Sequence, residues 1–314
     1  MQGNLKIGIS AWTEKTLIES GWYPPGTRDA ESRLRYYATQ FPIVEVDATY
    51  YALPARHQVE VWDERTPPGF TMNVKAHALF TGHYTDARRL PRDLRDELPP
   101  ALRTKARLYP KDIPGELFEE LTRRFRDALD PLVQSGKLGL VLLQYPVWFT
   151  RSPEHRRALA TAQERLPGCR VAVEFRNRYW MSERHRDETL ALLRAFGLAY
   201  TAVDEPQGFA SSVPPVAEAT ADVALVRFHG RNVRTWDRPM PSAAARMSYE
   251  YTPAELREWV PRLQRLAASA PEVHVIMNNC HRDYAVKNAT QMMALVDAAH
   301  LPVTHALAEA APLL

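Results

Sequence analysis

Cysteine is nearly absent: Cys169 and Cys280 are the only two in 314 residues, so no disulfide framework organises this chain. No apolar run reaches the roughly 18 residues of a membrane-spanning helix. The opening Met1-Gln2-Gly3-Asn4-Leu5-Lys6 also lacks the apolar stretch of a secretory signal. These gaps set the expectation of a soluble protein of a reducing cytoplasm, with no membrane partner. No glycine-rich fingerprint follows the first predicted strand, which argues against an open dinucleotide-binding sheet. No Gly-x-Ser-x-Gly elbow is present, which argues against a serine hydrolase of that type. No compact zinc spacing appears either.

The chain is 45% hydrophobic and 25% charged, enough to bury a large core, and its formal net charge of +3 tolerates anionic ligands without demanding nucleic acid. Apolar runs recur and end on polar residues: Ile43 to Asp47, Phe70 to His77, Leu138 to Gln144, Val171 to Arg176, Asp222 to His229 and Val273 to Asn279. With Lys6–Ser10 and Leu198–Val203 they predict eight strands. Helical patterns fall between them: Ala30–Gln40, Ala55–Glu64, Glu116–Leu132, a stretch within Pro153–Arg165, Ser182–Phe196 and Tyr284–Ala299. Gly197 suits the left-handed residue after a helix. Thr252, Pro253 and Glu255 spell a capping box, and Pro261 is expected to kink or split the helix that follows.

Eight strands alternating with helices predict an α/β fold, a parallel (β/α)8 TIM barrel over residues 1–300, with a tail at 301–314. The pattern is lost between Ala78 and Pro114, which reads as one long basic insertion after strand 3. Barrel active sites lie at the C-terminal ends of the strands, where these polar residues gather.

Alternation along a strand puts Glu45 with Asp47 on one face, Asn73 with Lys75 and His77, Glu174 with Arg176, and Arg227 with His229. If those faces point inward, the rim holds Glu45, Asp47, Glu174 and Asp204 against Lys75, Arg176 and Arg227. A satisfied salt-bridge network is the plain structural reading, since buried ions persist when paired. The functional reading makes Glu45, Asp47, His77, Glu174 and His229 catalytic candidates, the histidines because they titrate near neutrality. Lys75, Arg176 and Arg227 would hold a phosphate or carboxylate. Gln144, Asn278 and Asn279 supply neutral donors and acceptors, Asp204 a further polar contact, and Trp12 and Tyr50 flat surfaces for stacking.

A cofactor is not expected. A divalent metal on His77, Glu174, Asp204 and His229 is a disfavoured alternative, because three cations at the same level would repel it. In the insertion, Arg88, Arg89, Arg92 and Arg95 would track a nucleic-acid backbone, although interspersed acids favour a solvated loop.

The ordered blocks Gly8-Ile9-Ser10-Ala11-Trp12, Tyr23-Pro24-Pro25-Gly26, Glu45-Val46-Asp47-Ala48-Thr49-Tyr50-Tyr51, Lys75-Ala76-His77, Gln144-Tyr145-Pro146, Glu174-Phe175-Arg176, Arg227-Phe228-His229-Gly230 and Asn278-Asn279 resemble the signature of domain-of-unknown-function family 72, the YecE-like family. The resemblance runs from about Lys6 to Ala299 and implies the same barrel. It implies no established activity. A distant architectural likeness to endonuclease IV and xylose isomerase points by analogy to metal-dependent chemistry on DNA or sugars, and fold alone does not fix function. The expected function is therefore a hydrolase-like enzyme acting on a ligand with an anionic group. The alternatives are a metal-dependent phosphodiesterase or nuclease, and a non-catalytic protein that binds nucleic acid or a metabolite.

Overall fold

The computed structural model describes residues 2–240 and 242–306. Eight parallel strands close on themselves: β1 (Asn4–Ser10), β2 (Ile43–Val46), β3 (Thr71–Lys75), β4 (Leu138–Gln144), β5 (Val171–Glu174), β6 (Ala199–Asp204), β7 (Val223–Phe228) and β8 (Glu272–Met277). Neighbours in sequence are neighbours in the sheet, and β1 pairs with both β8 and β2, so the barrel has no open edge. A short β9 (Val303–Thr304) adds to the lower part of β1 beside Leu5 and Lys6. The rest of the predicted tail, 307–314, lies outside the described residues.

Strand alternation divides the apolar residues in two. Ile43, Leu140, Leu142, Ala172, Ala199, Val223, Leu225 and Ile276 form one buried cluster that fills the barrel. Their out-of-phase neighbours, including Val44, Val46, Val141, Val171, Val173, Tyr200 and Ala202, pack into the larger cluster shared with the helices. Gly139 interrupts the β3–β4 register, and a Cβ there would stand 2.4 Å from Asn73 Oδ1, so only glycine fits this bulge.

Several boundaries move from the expected ones. The helix predicted from Ser182 begins at Arg186, because Ser182 lends its carbonyl to the His185 and Arg186 amides and its hydroxyl to the Tyr179 carbonyl. Gly197 takes the expected left-handed conformation. Pro261 splits its helix into Pro253–Arg257 and Val260–Ser269, standing in the first turn of the second, where its missing N–H costs nothing. The segment 78–114 is better ordered than its composition predicted. It carries a helix at Arg92–Glu97 and short 3-10 turns, and buries Leu79, Ala87, Leu90, Leu94, Leu98 and Leu108 against Ile113, Leu117 and Leu121. The leucines and not the arginines determine its shape.

Candidate active site

The barrel register sets one level of side chains at the C-terminal end: Ser10 lies opposite Glu45, Gln144 opposite Glu174, and Val203 opposite Arg227. Glu45 continues the inward face of Ile43, Glu174 that of Ala172, and Arg227 that of Leu225. Three charged side chains therefore stand fully buried on top of the apolar filling.

Arg227 binds this layer. Its Nη2 lies 2.5 Å from Glu45 Oε1 and its Nη1 lies 2.6 Å from Glu174 Oε2, with Asp47 Oδ1 3.9 Å away. Arg176 forms the second node: Nε is 2.8 Å from Glu174 Oε1, Nη1 2.9 Å from Glu205 Oε2 and Nη2 3.1 Å from His229 Nε2. Asn278 Nδ2 lies 2.8 Å from His229 Nδ1 while its Oδ1 accepts from Ser10 Oγ at 2.5 Å, and His229 Nε2 lies 3.2 Å from Glu174 Oε1.

Burial and charge pull these groups in different directions. Burial would raise Glu174, yet Arg227, Arg176 and His229 together hold it well below the usual carboxylate range. Glu45 is pushed up to about 7 by burial, against the pull of Arg227. Glu205 is pushed up to about 8 by burial, against Arg176. His229 falls to about 3, through burial first and Arg176 second, so its imidazole is neutral at physiological pH. Counting Glu45, Asp47, Glu174 and Glu205 against Lys75, Arg176 and Arg227, the layer has one acid in excess, and its two raised carboxyls are where a balancing proton resides.

Above this layer opens a cavity of about 900 Å³. Asp47, Tyr50, Lys75, Gln144, Arg176 and Asn278 line it, so six of the predicted site residues meet in one space. Lys75 Nζ lies 3.7 Å from Asp47 Oδ1, an ion-pair distance too long for a hydrogen bond, and 4.8 Å from the centre of the Tyr50 ring. His83 packs edge-on against Tyr50, with Nδ1 2.9 Å from Thr81 Oγ1. Burial, then Lys75 and Arg176, lower its pKa to about 4, so this imidazole too is neutral. Arg89 and Arg246 stand exposed at the mouth, one from the 78–114 segment and one from the loop after β7.

Glu45, Glu174, Arg227 and His229 lie in the buried layer beneath that wall. The remaining predicted residues lie elsewhere. Asp204 shares the outward phase of Tyr200 and Ala202 and is held by Arg231 at 2.8 and 2.9 Å, Tyr251 at 2.7 Å and Trp259 at 2.6 Å. The same alternation rule, carried one residue further, selects Glu205, which sequence reasoning passed over. His77 follows the end of β3 and caps the next turn by accepting from the Leu79 amide at 3.4 Å. Burial alone lowers its pKa to about 4. Asn279 bonds the Tyr249 carbonyl and Asn288 at 2.8 Å each. Trp12 is out of phase because Ala11 has φ of 60°, and it packs edge-on against Trp62. Of the four insertion arginines only Arg89 lines the cavity, while Arg88 and Arg92 pair with Asp86 and Asp96. Ser10, the polar end of β1, also lines the cavity, as do His83 and Cys280, which no strand pattern marked.

The four residues considered for a metal do not converge. Glu174 and His229 adjoin, but each also contacts the Arg176 guanidinium, and no group of three His, Cys, Asp or Glu is arranged for a cation among the described residues. The donor set does not fit a metal. No helix among the described residues is long and apolar enough to cross a membrane.

The model of "Protein of unknown function DUF72" matches residues 6–312. The UPF0759 protein YunF of Bacillus subtilis (strain 168) is 33% identical over 295 residues, covering 93% of this chain and 94% of that protein. Among solved structures, a DUF72 family protein of Thermotoga maritima MSB8 is 26% identical with a TM-score of 0.73, covering 94% of this chain and 99% of the other. One from Enterococcus faecalis v583, 24% identical with a TM-score of 0.74, covers 93% and 95% and shares the fold.

Proposed function

Since the chain belongs to the DUF72 family, whose function is unknown, we propose its activity from the pocket: it binds a ligand through a phosphate or carboxylate and acts on it hydrolytically. The observation that carries this reading is the position of Lys75. Its side chain is 13% exposed in the cavity wall, and its ammonium has no hydrogen-bond partner among the described residues. Arg227 beneath occupies Glu45 and Glu174, so those carboxylates do not compete for Lys75. An anion between Lys75 and the edge of Arg176 would supply the missing acceptor.

Among the catalytic candidates read from the sequence, the buried ones are poorly placed to exchange protons with a ligand. Glu174 is too acidic and too enclosed, and His229 is neutral. Asp47 and the neutral His83 reach the cavity and are the groups that would take a proton from water. Lys75 and Arg176 would stabilise negative charge developing on the ligand. Glu45, with its pKa pushed up to about 7 and two residues before Asp47, would serve as the proton reserve.

The test combines binding and turnover. Inorganic phosphate should raise the melting temperature, by the equivalent of about 1.4 kcal/mol at ten times its dissociation constant, and Lys75→Met should remove the effect. Phosphate and carboxylate esters offered to the wild type and to Asp47→Asn then separate an enzyme from a binding protein. Binding without turnover of any ester would leave only the binding part, and phosphate insensitivity of the wild type would remove both.

A further inference from the structure

Among the described residues four aromatic side chains are exposed: Tyr51, Tyr84, Trp148 and Tyr179, at 47–57%. All four lie on the C-terminal face, in the loops after β2, β3, β4 and β5 in turn. Three carry an arginine on the ring: Arg89 is 5.8 Å from the centre of Tyr51, Arg107 5.4 Å from Tyr84 and Arg178 5.4 Å from Tyr179. Flat apolar rings are costly to leave in water, and four on one face mark a surface made to be covered.

The row is continuous with the pocket. Tyr51 and Tyr84 line the 900 Å³ cavity, and Tyr84 packs 5.7 Å from Tyr109. Tyr109 and Trp148 line a second, more apolar cavity of about 640 Å³, to which Lys111 and Arg165 contribute. Trp148 is seated over Gly82: a Cβ at that glycine would come within 2.6 Å of the indole, so the ring's position is fixed by the segment dividing the two cavities. Arg89, Arg107, Lys111 and Arg165 form no ion pair among the described residues. Acids also line these cavities, Asp47 and Asp86 in the first and Glu154 in the second, but they leave those four cations without a partner. Unpaired cations between stacking platforms match an anionic chain that carries flat rings.

We propose that this face binds single-stranded nucleic acid, with bases stacked along Tyr51, Tyr84 and Trp148 and the backbone tracked by Arg89, Arg107 and Lys111. The proposal rests on the anion-binding reading of the pocket for one phosphate only, the one at Lys75. Stacking along a row of platforms tolerates any base, so recognition is of strandedness and not of sequence.

The experiment is fluorescence anisotropy with a labelled oligothymidine of about 12 nucleotides, a length within the range of single-strand sites. A duplex of the same length and inorganic polyphosphate serve as competitors. The single strand should bind and be displaced only weakly by duplex. Tyr84→Ala and Trp148→Ala should each weaken binding by about 5- to 100-fold, Tyr84→Phe should restore it, and polyphosphate affinity should stay unchanged in all three. Both rings are exposed, and matching melting temperatures confirm that the variants fold. The proposal is overturned if the single strand fails to bind at low salt, if the alanine variants bind like wild type, or if duplex or polyphosphate competes equally. Failure of the pocket reading looks different: Lys75→Met would then leave phosphate and oligonucleotide binding unchanged while Trp148→Ala still weakened the latter.

Discussion

Replacing Arg227 by methionine removes the one cation common to two buried carboxylates while roughly conserving volume. Arg227, Glu45 and Glu174 are all 0% exposed, and the two contacts measure 2.5 and 2.6 Å. Hydrogen bonds to charged groups contribute about 1.5–3 kcal/mol each, so two suggest about 3–6 kcal/mol. Breaking a buried ion pair from one side costs about 3–5 kcal/mol, the same range. Urea denaturation at pH 7 should show that loss with an unchanged slope. The pH dependence at Glu174 should also weaken. In the wild type its depressed pKa contributes stability above the ordinary value, lost as pH falls through the native one. Without Arg227 only Arg176 and His229 still oppose burial at Glu174, so its native pKa should rise and the variant should lose less stability than wild type on acidification. Arg227→Met with Glu174→Gln should recover part of the loss, since one carboxylate no longer needs a partner. A loss below about 1 kcal/mol, or no recovery in the double variant, would refute the view that Arg227 neutralises this layer.

Glu205→Gln tests the other raised carboxyl. Native Glu205 keeps its proton to about 8, whereas the unfolded chain releases it near 4.5, so the stability it contributes is lost as pH rises through that window. Melting curves should show the glutamine variant gaining on wild type between pH 5 and 8, and parallel curves would contradict the assignment. Asp204→Asn, which weakens the contacts to Arg231, Tyr251 and Trp259, should destabilise by about 1–3 kcal/mol while leaving phosphate binding intact. Gly82→Ala meets both a φ of 82° and the Trp148 ring, and should lower stability by about 1–2 kcal/mol and shift tryptophan emission. An unchanged spectrum would show that the indole does not rest there.

The barrel was legible because strand alternation and polar strand ends repeat eight times, and repetition averages out errors at single boundaries. Within the site, residues on the strands were placed well by alternation: Glu45, Lys75, Glu174 and Arg227 stand where the period of two puts them. The rule lost hold one or two residues beyond each strand. At Trp12 the left-handed Ala11 breaks the phase, and at His77 a turn begins. Asp204 was misplaced by treating the strand end as polar without counting its phase, which belongs to Tyr200 and Ala202. His83, Arg246 and Cys280 reach the cavity from loops, where no periodicity applies. The basic insertion misled for a related reason, because charge is conspicuous in sequence while Leu90, Leu94 and Leu98, which build its core, are not.

The central claim is that the pocket above Arg227 receives an anion at Lys75 and Arg176. Anomalous diffraction from crystals soaked separately in selenate and in manganese tests it most directly, because it locates the ion and reports its sign of charge. A selenium peak within hydrogen-bond distance of Lys75 Nζ and on the Arg176 side of the cavity, absent in Lys75→Met, is the predicted result. A manganese peak at Asp47 or Glu174, with no selenium at Lys75, would contradict it.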